Sequence, residues 1–376
     1  MSKPKIYKLA AVVLGVAIIG GIVFYLQLPN RHKAIVKTTV LHRAGLVTNQ
    51  WAVTPEASTY RMLSPDFLID GIYKSMEGPK ASNYVKLSQD STVLWLTGFH
   101  VKALESNTGN PIPNDFICHT NVDFNDVRYY SGFGLTNRIG KQYPRMTSLS
   151  HGQENFQFPE GYGVPMKGND LLYVTTQSLN HNDPKANVLI QHEISIDYSS
   201  SAGIKPLMAR TAFIMLPYDK RDPYKEPLDP GTDQCIPVET KNHSYDDGKG
   251  NMRSGHWVVK PGKSVYRSSI NDQLMITDSL RLHAAAIHVH PFATSIGILD
   301  KTTGKMLFNS RVTNNTDRIG LKEIEAFTSA QGIWLYAAHN YEMVMTVDNT
   351  SGEQQDMMGS MFLFFYDKEL DEILSK

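Results

Sequence analysis

The chain has almost nothing with which to staple itself covalently and no bulk charge with which to recruit a partner. Two of its 376 residues are cysteine, Cys118 and Cys235. One falls in each half of the chain, so they form no disulfide framework, and whether they pair is left open. No C-x-x-C occurs, which excludes the common zinc ribbons and thioredoxin-type redox motifs. Lys and Arg number 37 and Asp and Glu also 37, so no basic field draws the chain to nucleic acid. There is no P-loop, no G-x-G-x-x-G and no supported Ser-His-Asp order. Long stretches of helical periodicity are missing beyond the first thirty residues.

What is present begins with LAAVVLGVAIIGGIVFYL (residues 9–26), an uncharged apolar run preceded by Lys3, Lys5 and Lys8. At about 1.5 Å per residue such a helix just crosses a bilayer core, and lysines ahead of it favour a cytoplasmic N-terminus. The expectation is an uncleaved single-pass anchor over 1–29 that leaves the rest extracytoplasmic, in the periplasm or at the cell exterior. A cleaved signal peptide is the alternative, although no small-x-small site follows the run. Residues 30–59 are mixed and polar and read as a stalk.

Beyond the stalk, short apolar or aromatic stretches alternate with clusters of Gly, Pro, Asn and Asp. STVLWLTGFHVKAL (91–104) before ESNTGNPIPND (105–115) is one example. This density of turn chemistry predicts an all-β chain, and its length predicts two antiparallel, jelly-roll-like β-sandwich domains, 60–203 and 204–376, behind the membrane helix. The boundary is expected near DYSSSAGIKP (197–206). Polar stretches at 218–234 and 241–256 read as surface loops of the second domain. The tail DKELDEILSK (367–376) carries the one helical signal after the anchor.

AAAIHVHPFATSIGILD (284–300) places His288 and His290 two apart in a β-prone run, hence on one face of a strand at a spacing that chelates one ion. Copper or zinc suits such a pair, and ordinary half-buried histidines are the alternative. Near the C-terminus, DNTSGEQQDMMGSMFLFFY (348–366) offers Met358. A thioether beside two imidazoles selects copper, because soft sulfur favours Cu(I) while nitrogen suits both oxidation states. Met357 is its neighbour and substitute.

In order and spacing these segments resemble the C-terminal half of the copper type II, ascorbate-dependent monooxygenases, the family of peptidylglycine α-hydroxylating monooxygenase and dopamine β-hydroxylase. LRLHAAAIHVHPFATSIGILDKTTGKMLF (280–308) resembles the H-x-H strand and its hairpin. AQGIWLYAAHNYEMVMTVDNTSGE (330–353) is similar to the strand entering the Gly/Thr-rich turn, and DMMGSMFLFFY (356–366) to the thioether segment. The resemblance implies a main copper site of His288, His290 and Met358. It also implies a second, electron-transfer copper site in the first domain, and here the pattern departs. FICHTNVDF (116–124) has Cys118-His119 where two histidines are expected. FPEGYGVPMKGNDLLYVTTQSLNHNDP (158–184) has Asn180 at the ligand position, with His181 one residue on. A degenerate second site of Cys118, His119 and His181 requires a locally distorted strand, since neighbours in a regular strand face opposite ways.

Ala286, Ser360 and Phe362 stand where the peptide-amidating members carry an arginine, an asparagine and a tyrosine, so a peptide carboxylate lacks its anchor. The remaining histidines have plainer readings. His283 is expected on the other strand face, at the surface or behind a ligand. His339 and Tyr341, or His151, line a cleft or serve structure. Asp356 is expected to fix its turn by bonding backbone amides. Two functions follow: a membrane-anchored copper monooxygenase, an oxidoreductase acting on a small molecule with electrons from a small reductant or partner, or a copper-handling or sensing module without turnover. A metal-free β-sandwich assembly module is the third reading. Oligomeric state is not legible. The ligands are expected on facing domain surfaces across a cleft.

Overall fold

The computed structural model describes residues 3–218, 244–246 and 252–375. The expected loop at 219–234, Cys235 and most of 241–251 therefore lie outside the described residues. Strands dominate, and nearly all pair antiparallel.

The chain opens with a helix, Lys3–Gln27, whose apolar side chains point outward: Val13 is 60% exposed, Ile19 64% and Phe24 66%. Among the described residues no helix is long and apolar enough to cross a membrane. Leu9 and Ala10, which open the apolar run, have side chains outside the described set. The helix breaks at Leu28, because the residue before a proline is disfavoured in the α region.

From Asn30 to Arg43 the chain is helical again, and this corrects the expectation of a polar stalk. The small side chain of Ala34 is buried against Phe67, Ile69, Tyr73, Ala186 and Ile190. Lys37 pairs with Asp70 and reaches the Tyr73 hydroxyl at 3.3 Å, and His42 Nε2 meets the Asp66 carbonyl at 2.9 Å. A single small apolar contact and three polar ties leave no amphipathic stripe to read. Ala52–Pro55 then pairs with Thr59–Leu63 as the edge of the main sheet.

That main sheet runs through both halves of the molecule. Its path is Ala52–Pro55, Thr59–Leu63, Val188–Ser199, Val93–Glu105, Tyr162–Lys167, Lys205–Phe213, Gln355–Tyr366, Ser279–Val289 and Phe327–Tyr336. Tyr162–Lys167 and Lys205–Phe213 are joined by a short parallel pairing, Lys205 opposite Tyr162, where the halves meet. In the first half a four-stranded sheet (Lys80–Val85, Leu172–Ser178, Ile117–Phe124, Arg145–Leu149) covers the main sheet; in the second, a five-stranded sheet built around Tyr341–Asn349 and Ala293–Asp300 does so. Each pair encloses its own core.

The two strands that carry the sequence motifs, Ser279–Val289 and Gln355–Tyr366, are buried on both faces. Ala285, Ile287, Met361, Leu363 and Phe365 belong to the second core, whereas Ala284, Ala286, Phe362 and Phe364 reach into the first. Two-sided burial explains why LHAAAIHV and MFLFFY read as nearly unbroken apolar runs rather than alternating ones. The tail forms a helix, Lys368–Leu374, capped by Asp367, whose carboxylate also receives Arg138 from the first half.

Candidate functional site

Side-chain alternation decides where the histidines go. His288 and His290 share the parity of Ala284 and Ala286, so they face the first half rather than the second core. His288 lies opposite Ser360 and Val289 opposite Gly359, so the next step along the ladder brings His290 opposite Met358. On the other side of Met358 stands His256, first residue of the strand His256–Val259, which pairs with it directly. Directly paired residues of antiparallel strands project to the same face. His290, Met358 and His256 therefore form a row across three strands, flanked by His288.

The ring centres of His288 and His290 are 5.6 Å apart and those of His290 and His256 5.8 Å. Exposure is 7% for His288, 8% for His290 and His256, and 4% for Met358. Met358 packs with Phe213 and Met215, whereas Met357 is fully buried in the second core on the opposite face.

Asp356 shares this face, two residues before Met358. Its Oδ2 lies 3.1 Å from His290 Nδ1 and its Oδ1 3.5 Å from His256 Nδ1. Burial alone would push this carboxyl up, but the two imidazoles outweigh it and hold the group well below the usual carboxylate range. Asp356 is thus an anion that grips two rings, not the amide-bonding turn residue expected from sequence. The turn ahead of it is fixed instead by Asn349, whose side chain binds the Val259 and Glu353 carbonyls and the Ser351 amide.

The first half meets this row closely. The His119 ring is 6.4 Å from that of His288, so the facing surfaces touch where a cleft was expected. His119 opposes Gln177 while Ile117 opposes Ser178. Cys118 is the extra residue of a β-bulge, the local distortion that a shared Cys118-His119 site requires. Cys118 is buried.

Asn180 is committed elsewhere: its Nδ2 donates to the Gly71 and Asp183 carbonyls and its Oδ1 accepts from the Asn182 and Asp183 amides. It locks a turn and is not available as a ligand, which corrects its placement at the ligand position. His181, one residue on, lies within the electrostatic reach of His290 and Asp356; burial, reinforced by His290, lowers its pKa to about 4. It is a neutral imidazole at physiological pH.

The other candidates separate from the row. His283 is no surface ring: it is fully buried, stacked on Tyr162 at 4.1 Å, with Nδ1 at 2.9 Å from the Ser329 carbonyl. A register shift between Leu282 and Ala284 re-aims it toward the first half. His339 bonds Asp300, and the Tyr341 hydroxyl accepts the Tyr336 amide. His151 bridges Asp115 and Glu154. Ala286 and Phe362 lie in the first core and Ser360 is 1% exposed, so none of the three lines an open bay.

Among the described residues, no group of three or more His, Cys, Asp or Glu side chains is arranged to hold a metal ion. A set of two imidazoles and a thioether contributes only two such groups, and the donor chemistry of this face fits copper: paired imidazoles, one thioether and a carboxylate behind the rings. Sequence reasoning missed His256 and the bridging role of Asp356. The signal for His256 is the apolar W-V-V that follows it at the end of the polar stretch 241–256.

No protein-family model matches the chain, and no curated protein does. Among solved structures it is similar to the glycosylasparaginase PNGase F from Flavobacterium meningosepticum, at 9% identity over 82% of this chain and 96% of that one, with a TM-score of 0.33. It is also similar to PNGF-II, at 10% identity over 80% and 64% with a TM-score of 0.32, and to the major capsid protein P2 of bacteriophage PM2, at 11% identity over 82% and 99% with a TM-score of 0.28. Likenesses this shallow carry no inference for this chain.

Proposed function

We propose that the chain is a membrane-anchored, extracytoplasmic copper protein of the kind that the H-x-H and methionine segments resemble, with copper held by His288, His290 and Met358. The observation that carries this reading is the register of Ser279–Val289 against Gln355–Tyr366, which sets both imidazoles and the thioether on one buried face. Bound copper would supply O2 activation for hydroxylation of a C–H bond, the activity that the resemblance implies. The chain's own part is to hold and orient. Asp356 holds the His290 ring through Nδ1 at 3.1 Å, which leaves Nε2 as the nitrogen for an ion, and Phe213 and Met215 pack an apolar wall against the thioether. The apolar 9–26 run, the lysines ahead of it and the exposed apolar side chains within residues 11–26 support the anchor.

Copper handling without turnover is the second reading. It is favoured by the near-complete burial of His288 and His290 and by the packing of Ala286 and Phe362 into the first core, positions that a substrate would otherwise approach. Elemental analysis of the full-length protein, purified in detergent and dialysed against excess copper, tests both. One copper per chain supports a single site; two support an additional site at Cys118, His119 and His181; none overturns the copper reading. Hydroxylation of C–H substrates with a small reductant then separates turnover from storage.

A further inference from the structure

Resting on the anchor reading, we propose that the helix Asn30–Arg43 is an interfacial mount, whose inward face grips the β-rich body and whose outward face lies in an anionic phospholipid surface. Between Arg31 and Arg43 the exposed residues are His32, Ile35, Val36, Thr39, Val40 and Arg43. They follow one another at the three- and four-residue steps that make one face of a helix. The middle of that face is apolar, with Ile35 43% exposed, Val36 39% and Val40 57%. Thr39 adds little polarity, because its hydroxyl donates to the Ile35 carbonyl at 2.7 Å. Basic side chains, His32 and Arg43, stand at the two ends.

The inward face keeps these side chains outside. Ala34 is seated among the apolar residues of the body, Lys37 pairs with Asp70 and His42 meets the Asp66 carbonyl, so rolling the helix to bury Ile35 or Val40 would break those ties. An aliphatic face held outward by polar bonds is a docking face. Continuity and charge identify its cover. Only Leu28 and Pro29 separate this helix from the one that carries the apolar 9–26 run, a span of about 10 Å at full extension. A helix that starts so near the end of a membrane anchor starts at the headgroup level. Ahead of Glu56 the chain has seven Lys and Arg and no Asp or Glu, although the whole chain is neutral. The N-terminal segment is thus cationic and the remaining body net acidic, so an anionic surface attracts the helix and repels the rest. Apolar residues at the centre and basic ones at the border are the pattern of a helix lying in the bilayer interface. The consequence is mechanical: the β-rich body is held at one height and tilt above the bilayer instead of swinging on a tether.

Tryptophan emission of the full-length protein, reconstituted in vesicles of phosphatidylcholine and phosphatidylglycerol with bromine on the acyl chains near the headgroup, tests the mount. Val36→Trp and Val40→Trp are compared with Val265→Trp, an exposed site of the second half, each against the four native tryptophans of the wild type. Bromine should quench the two helix positions about threefold or more above Val265→Trp, and acrylamide in the water should quench them less. Replacing phosphatidylglycerol by phosphatidylcholine should weaken the bromine quenching, and so should His32→Gln combined with Arg43→Gln. Bromine quenching no greater than at Val265→Trp, or equal quenching in the two lipid mixtures, would overturn the proposal. Protection from acrylamide without bromine quenching would also overturn it, and would assign the face to a second copy of the chain or to another protein. A carbonate wash of the same vesicles reads the anchor separately. A chain that is washed off overturns the anchor reading, whereas one that stays on with unquenched helix positions overturns the mount alone.

Discussion

The two halves bring donors to the same seam by opposite means. In the second half, His256, Met358 and His288 stand on paired strands, with His290 one residue past the end of its own, and their common direction follows from that pairing. In the first half, Cys118 is the extra residue of a bulge, His119 follows it, and His181 leaves a turn locked by Asn180. A regular ladder places several donors together with little freedom, because one slip would turn them all to the other core. The bulge places Cys118 and His119 and the turn places His181, by two unrelated local irregularities. The second half is therefore the wall on which the proposed copper site would rest, and the first half supplies the surface that packs against it through His119 and His288.

The largest expected effect breaks this comparison most directly. His288→Ala or His290→Ala should abolish tight copper binding, while His119→Ala and Cys118→Ala should leave one copper per chain. Elemental analysis after gel filtration reads the difference. Copper lost from His119→Ala and kept in His288→Ala would move the holding wall to the first half.

Next in size is the contrast between adjacent methionines. Met357 is fully buried in the second core, so Met357→Ala should destabilise the fold by about 2–5 kcal/mol through lost contacts and a residual cavity. Its copper affinity should be unchanged. Met358→Ala should cost less stability and weaken Cu(I) selectively, because a lone thioether is a poor ligand for Cu(II). Denaturant unfolding together with competition for Cu(I) and Cu(II) separates the two. Equal Cu(I) affinity in both variants would exclude the thioether from the site.

These contrasts also show why some of the site was legible and some was not. The H-x-H spacing and the Met358 parity are local facts with a period of two, and the ladder preserved them. The all-β class followed from turn chemistry that real hairpins use. His256 is different: it opens a four-residue strand after a polar stretch, and its place beside Met358 exists only through pairing of residues a hundred positions apart. The burial of His283 depends on a register shift, and the docking of Asn30–Arg43 on the fit of one alanine. Neither leaves a periodic trace. Asp356 was read by its neighbours in sequence, whereas its partners, His256 and His290, come from two other strands.

Acid should act on the first half through His181. Its pKa is lowered to about 4 in the folded protein, against an ordinary value of 6.5. Between those values the unfolded chain binds the extra proton, so stability should fall as pH drops from 6.5 toward 4 and be unaffected by this group above 6.5. His181→Asn should lessen, without abolishing, the slope measured by urea unfolding without copper, because the buried His192, lowered to about 3, contributes over the same range. A profile equally steep in the variant would assign the acid sensitivity to another group.

The smallest effect concerns the seam away from the His288–His290 face, and it runs in the opposite direction. His151 Nε2 lies 2.7 Å from Asp115 and Nδ1 2.9 Å from Glu154, while Arg318 of the second half meets Asp115 at 2.8 Å. Burial opposes the charge on His151, but the two carboxylates outweigh it and raise its pKa to about 9 from 6.5. A raised pKa means that the folded state holds the extra proton. Its contribution is thus full below 6.5 and is lost as pH rises through 9. At most about 3 kcal/mol is at stake, less in practice because the ring is partly exposed and Arg318 still neutralises Asp115. His151→Gln should therefore lower stability at pH 6 and converge with the wild type near pH 10, with copper binding at neutral pH unchanged. A constant offset at every pH would mean that His151 holds the seam by packing rather than by charge.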